Sequence, residues 1–191
     1  MKTKKCFDIC RQSGIFYVYQ GEYGEQWLSN GCACYPISGL PTLTEDSICK
    51  LYDINDTQRS RCLFNFFAGN PPIPVSDSTS DETYAEMWDI TIAIKDKIVI
   101  PISTEAGILF IDRKYLNPFV DMYNEDMRLT IRENAKGKRY VCVKFGLIAY
   151  AFIAPVDILD DEFVNKLGEL YSQSKIALNT LGGSIKYNET V

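Results

Sequence analysis

Phe110-Ile-Asp-Arg-Lys-Tyr-Leu-Asn-Pro-Phe119, then Met127-Arg-Leu-Thr-Ile-Arg-Glu133, then Tyr140-Val-Cys-Val-Lys-Phe-Gly-Leu-Ile-Ala-Tyr-Ala-Phe-Ile-Ala-Pro155 decide the fold class of this 191-residue chain. The first run predicts a helix over 112–124. The next two alternate apolar and polar residues around glycine-bearing turns and predict an antiparallel meander that closes on Pro155. Pro118 is tolerated as the first helical residue after an Asn117 cap, and at any later position it ends the helix.

Outward from this stretch, Trp88, Ile90, Ile92 and Ile94 alternate with Asp89, Thr91 and Ala93, predicting a strand with one buried face. It is read as a hairpin through Lys95-Asp96-Lys97 to Ile98-Val-Ile-Pro-Ile-Ser, and Gly107 to Ile111 adds a strand ending at Asp112. In the first half, Phe16-Tyr-Val-Tyr-Gln, Gln26-Trp-Leu-Ser and Cys32-Ala-Cys-Tyr-Pro-Ile are separated by glycine-bearing turns and predict a three-stranded meander. Thr44 caps a helix over 44–53 whose Glu45 and Asp46 favour the positive end of the dipole and whose Ile48, Leu51 and Tyr52 share a face. Cys6 to Arg11 reads equally as a helical turn or a strand start. Arg61 to Ala68 is apolar enough for a buried strand. Asn70-Pro-Pro-Ile-Pro-Val and the polar run after it have the composition of an exposed linker. Beyond Asp160, Phe163, Leu167, Leu170 and Tyr171 form the stripe of an amphipathic helix over 160–175.

The expectation is therefore an α+β fold of antiparallel meanders in two halves, with helices near 44–53, 112–124 and 160–175 covering the sheet. It is organised as one domain: N-terminal half 1–70, loop 71–83, C-terminal half 84–178 and a flexible tail 179–191. Leu43-Thr-Glu-Asp-Ser-Ile-Cys-Lys-Leu51 and Leu159-Asp-Asp-Glu-Phe-Val-Asn-Lys-Leu167 match at both leucines and the lysine, each after a strand that carries an aromatic and a proline. Duplication of a sheet-then-helix unit and convergent capping chemistry both account for that match.

Histidine is absent, which removes the usual general base, the usual activator of a serine or cysteine nucleophile, and every imidazole ligand. No Gly-rich phosphate loop and no paired carboxylates free of a capping role replace it, so the expected class is a non-catalytic binding protein without a cofactor. Seven cysteines without a secretory signal imply reduced thiols and a soluble, cytoplasmic chain that does not enter membranes. Cys6, Cys10, Cys32 and Cys34 could bind metal only if the two pairs met in space, and their spacings are not those of zinc knuckles, so no metal is expected.

The net charge of −5 is uneven: residues 110–146 carry eight cations against five anions, a local +3. Arg113, Lys114, Arg128, Arg132, Lys136, Lys138 and Arg139 are the candidate anion or nucleic-acid contacts. Tyr17, Tyr19, Tyr23, Trp27 and Tyr35 cluster around the first meander, where rings on a sheet face stack bases or anchor a protein partner.

The order of Phe110-x-x-x-x-Tyr-Leu, Met127-Arg-Leu-Thr-Ile-Arg-Glu, Tyr140-Val-Cys-Val and Ala149 to Pro155-Val-x-Ile resembles the closing half-domain of DNA sliding clamps over about 50 residues. The resemblance implies a helix whose Arg113 and Lys114 face DNA, an outer sheet from Met127 to Pro155, self-association, and electrostatic contact with DNA. Gly24-Glu-Gln-Trp-Leu-Ser-Asn-Gly-Cys-Ala-Cys-Tyr-Pro-Ile-Ser-Gly-Leu-Pro41 resembles uncharacterised reading frames of bacteriophages and prophages. The functional expectation is thus a clamp-like DNA or replication accessory protein of phage type. The alternatives are a phage-type protein that binds a host protein or sequesters a small nucleotide, and an enzyme using carboxylate, lysine or cysteine.

Overall fold

The computed structural model describes residues 1–77, 79, 81–94, 96–122, 126–157 and 161–180. Lys95 of the expected hairpin turn, the end of the expected 112–124 helix, Leu159 and Asp160 of the second repeat copy, and the tail beyond 180 lie outside the described residues. The chain divides into two compact units, Met1–Val156 and Asp157–Val191.

The first unit is α+β and built on an 11-stranded, mostly antiparallel sheet. The first meander forms as its alternation predicts: β1 (Ile15–Gln20), β2 (Gln26–Ser29) and β3 (Ala33–Ile37) pair antiparallel through Tyr19↔Trp27 and Ser29↔Cys34. The closing meander is β9 (Met127–Glu133), β10 (Arg139–Phe145) and β11 (Ile148–Ile153). β3 and β11 pair antiparallel at Cys34↔Phe152 and Ala33↔Ile153, which joins the two meanders into one sheet. β4 (Leu63–Ala68) runs parallel to β1 at one end. At the other, β5 (Thr83–Met87) pairs with β9 and with β7 (Lys97–Thr104), and β7 also pairs with β6 (Ile92–Ile94) and β8 (Gly107–Asp112).

One face of the sheet is covered by helices. α1 (Thr3–Ser13) turns Cys6, Phe7, Ile9 and Cys10 onto Phe16, Val18, Leu28 and Tyr35 in the main core. It ends at Gly14, whose left-handed φ of 67° gives the helix a cap. α2 (Glu45–Leu51) carries a capping box in which Thr44 and Ser47 satisfy each other's backbone N–H. Its Ile48 is buried and Tyr52 stacks on Phe7 at 3.9 Å, but Leu51 projects outward. A short α3 (Asp56–Arg59) follows before β4.

Several expectations are corrected. Residues 88–91 do not extend β6; the strand there is β5, which ends at Met87, and Ile90 is 50% exposed. β5 forms because Thr83↔Ile131 and Ala85↔Leu129 give it a partner nearly 50 positions away, which local periodicity does not encode. β4 is an edge strand with Leu63, Phe66 and Phe67 partly exposed, not a buried one. Pro118 neither starts nor ends the helix after β8. The chain passes through it as a 3-10 helix, Arg113–Met122, with Pro118 inside it. Tyr115, Leu116 and Phe119 bury one side of that segment, and α1 packs beside it, with the Lys2 N–H donating to the Pro118 carbonyl at 2.8 Å.

The order helix, three-stranded meander, helix occurs twice along the chain: α1, β1–β3, α2 and then the 3-10 helix, β9–β11, α4 (Asp161–Thr180). In the second unit, α4 runs past the expected end at 175, and Leu167, Leu170 and Tyr171 on its apolar stripe are exposed. No described helix is long and apolar enough to cross a membrane.

Candidate functional site

The face of the sheet opposite α1 is organised by one cation. In β9, Leu129 and Ile131 point into the main core, so Thr130 and Arg132 point to the other face. Arg132 is only 1% exposed, and all five of its N–H donors are used. Nε and Nη2 donate to Glu82 Oε2 at 3.0 and 2.7 Å, and Nη1 donates to the Pro74 carbonyl at 2.9 Å and to that of Ser76. Nη2 also donates to the Asp77 carbonyl at 3.0 Å. Lys144, buried on β10, donates to Glu82 Oε1 at 2.8 Å. Burial alone pushes the Glu82 carboxyl up, but hydrogen bonds from Lys144 and Arg132 outweigh it and hold the pKa below the ordinary value.

This network corrects the exposed linker. Residues 71–77 cross the sheet as a strap: Pro71 is buried, and Ile73 and Val75 pack on Trp27, Cys34, Cys142, Ala149 and Phe152. The Asp77 carboxylate accepts the Ala149 N–H at 3.0 Å, beside the register shift between Val143 and Lys144. Trp27 Nε1 is buried without a hydrogen-bond partner among the described residues.

Two clefts flank the strap and share Pro71, Pro72, Ile73 and Tyr140. The larger, about 560 Å³, lies between the strap and the β9–β10 turn with Asn134, Lys136 and Lys138. The smaller, about 180 Å³, continues over Tyr17, Tyr19 and Phe152. Phe67 stacks on Tyr19 at 4.9 Å and meets Tyr17 edge-on at 5.8 Å, so β4 extends this aromatic surface.

Asn134 ties the larger cleft together. Its Oδ1 accepts the N–H groups of Lys136 and Lys138 at 3.0 Å each, and its Nδ2 donates to the Pro72 carbonyl at 3.4 Å and to Tyr140 Oη at 3.5 Å. The turn is closed by Gly137, whose φ of 74° suits glycine. One side chain therefore holds the turn backbone at both lysines, the strap and a tyrosine relative to one another.

No family model, no curated protein and no solved structure matches this chain.

The candidate residues separate into different places. Lys136 and Lys138 meet in the larger cleft, and Tyr17 and Tyr19 in the smaller. Arg132, read as a surface cation, is a buried structural one. Arg139 faces Glu133 at 3.8 Å and Arg128 is held by Asp126 at 2.7 Å, so neither is a free cation. Arg113 is exposed, and Lys114 pairs with Asp112 at 3.0 Å. Tyr23 stands on the β1–β2 loop at 92% exposure, Trp27 is under the strap, and Tyr35 lies on the helix-covered face, where its hydroxyl donates to the Tyr115 carbonyl at 2.9 Å. Sequence reasoning missed Glu82, Asn134, Tyr140 and the prolines, because their roles depend on partners far away in the chain.

The thiols do not converge. Cys6 and Cys10 sit in the main core, while Cys34 is in the small cluster under the strap with Trp27 and Phe152. Burial pushes Cys6 up to about 12 and Cys142 up to about 11, and likewise raises Cys10 and Cys34, so these thiols are poor nucleophiles at neutral pH. Among the described residues no His, Cys, Asp or Glu cluster could hold a metal ion.

Proposed function

We propose that this chain is a non-catalytic binding protein whose working surface is the strapped face of the sheet. The observation that carries this reading is a fully hydrogen-bonded buried guanidinium holding a proline strap over tyrosines, beside a cleft whose size falls in the range of small-ligand sites, roughly 300 to 1,000 Å³. Neither cleft is lined by a carboxylate; of the two thiols that line the smaller one, Cys34 is buried with its pKa raised by burial, and the exposed Cys32 has no histidine in the chain to activate it. The arrangement favours holding a ligand over transforming it.

A thermal-shift screen of small anionic and aromatic compounds tests the idea. Compounds that raise Tm should lose their effect in Tyr140→Ala, with stabilisation of about 2.7 kcal/mol expected at a hundredfold excess over Kd. A screen without any hit, or hits indifferent to Tyr140→Ala, would overturn it.

A second reading, a clamp-like DNA accessory protein of phage type, is favoured by the helix layer. α1 carries Lys4, Lys5 and Arg11 against Asp8, with Lys2 at its N-cap, and the adjoining 3-10 helix adds Arg113. Lys2 pairs with Asp121 and Arg11 with Asp8, which leaves Lys4, Lys5 and Arg113 exposed with no carboxylate partner among the described residues. On this reading duplex DNA binds weakly and self-association supplies avidity. Anisotropy titrations across salt concentrations should give a slope that becomes shallower by about 1.8 in Lys4→Ala/Lys5→Ala, since each lost phosphate contact removes about 0.9. A slope unchanged by that variant, or a monomer by light scattering that ignores DNA, sinks it.

A further inference from the structure

We propose that the cleft between the Pro71–Pro74 strap and the Asn134–Lys138 turn is a nucleoside monophosphate site. The base lies against Tyr140 and Pro72, and the phosphate is held by Lys136 and Lys138. This assignment rests on the strapped face being the binding surface, and it names the ligand class.

Three features of the cleft select that chemistry. Its walls are flat and apolar at one end, with prolines and the Tyr140 ring, and a planar ring is the ligand shape such walls cover best. Its other end carries Lys136 and Lys138, both exposed and without a carboxylate partner among the described residues, on a chain whose overall charge is −5. An anion there meets two cations and no lining acid, so the local field opposes the net charge. The two ends are tied together by Asn134, which accepts from the backbone N–H groups of both lysines and donates to the Pro72 carbonyl and Tyr140 Oη. A site whose turn, strap and ring are already hydrogen-bonded to one another loses little entropy when a ligand enters.

Ring and charge must therefore belong to the same small molecule. A free phosphate leaves the apolar end empty, and an uncharged nucleoside leaves the lysines unused. Pro71, Pro72 and Ile73 of the strap line both clefts, and the lysines lie only in the larger one. Of molecules that combine a planar ring with phosphate, a nucleoside monophosphate is the simplest that places one at each end of the cleft. Tyr17 and Tyr19 then complete the neighbouring smaller cleft without touching the phosphate.

The test is calorimetric titration of the full chain with each common nucleoside monophosphate, with the matching nucleosides, with inorganic phosphate, and separately with a deoxythymidine oligonucleotide. At least one monophosphate is expected to bind with Kd of about 1 mM or tighter, and its nucleoside and inorganic phosphate each at least tenfold more weakly. Lys136→Ala/Lys138→Ala, which changes exposed side chains and leaves the Asn134 turn bonds to backbone N–H groups in place, should weaken binding tenfold or more at unchanged Tm. Tyr140→Leu should weaken it comparably. Tm within a few degrees of the parent separates loss of the site from loss of the fold. Absence of heat with every monophosphate overturns the proposal, as does binding indifferent to the lysine pair. An oligonucleotide that binds more than tenfold tighter per site overturns it in favour of single-stranded nucleic acid. If monophosphates fail while other screened compounds still depend on Tyr140, the binding surface stands and only this ligand class falls.

Discussion

Arg132→Met is expected to destabilise the fold by about 3 to 5 kcal/mol, the usual cost of breaking a buried ion pair from one side. The cause is what the variant leaves behind. Glu82 keeps one buried cation, Lys144, but the carbonyls of Pro74, Ser76 and Asp77 lose their donors and the strap loses its anchor. In a domain of this size that corresponds to a fall in Tm on the order of 10 °C by chemical or thermal denaturation. Arg132→Lys should recover only part of it, because an ammonium has three donors and no planar fork to reach Glu82 and three carbonyls together. A fall of less than about 1 kcal/mol in Arg132→Met would mean that strap packing, not the guanidinium, holds the face closed.

The same network sets an acid dependence. The Glu82 pKa is lowered in the folded state, so its contribution is fully present above the ordinary carboxylate pKa and is lost as pH falls through the depressed value. In Glu82→Gln that loss on acidification should shrink, and the variant should be less stable than the parent at neutral pH.

The sheet was largely legible. Alternation marked β1 to β3 and β9 to β11, and Thr44 with an acidic first turn marked α2, because each of these elements makes its decisive contacts within its own neighbourhood. α1 was undecided, although Gly14 placed after Cys6, Phe7 and Cys10 at helical spacing was a usable stop signal. β5 was hidden inside a Ser- and Asp-rich run, since its partner β9 lies nearly 50 positions downstream. The site was legible only in pieces. Lys136, Lys138, Tyr17 and Tyr19 could be named from composition and alternation, and alternation even places Arg132 on the face away from Leu129 and Ile131. Nothing local says that this face is covered. That depends on hydrogen bonds spanning 50 to 62 positions, from Arg132 and Lys144 to the strap and to Glu82, and so an internal guanidinium looked like a surface one.

Phe119→Ala carries the other large effect, because it asks what keeps the 3-10 helix in place. Ten residues in 3-10 geometry with a proline inside are not held by intrinsic propensity. The segment is pinned from one side: Phe119 is fully buried, with its ring 5.6 Å from Phe145 and 6.2 Å from Tyr35. Removing it should cost about 3 to 5 kcal/mol through lost transfer energy and the cavity left among those rings. The loss should be local as well as global. Lys2 N–H donates to the Pro118 carbonyl and Lys2 pairs with Asp121, so loosening the segment also frees the start of α1. Hydrogen exchange should therefore accelerate in residues 113–122 and at the beginning of α1 before the β9–β11 meander is affected. Uniform acceleration across the sheet would show instead that the 3-10 helix and the meander open as one unit. Such a result would make Phe119 a keystone of the whole core, and would tie the basic helix layer to the strapped face through the sheet they share.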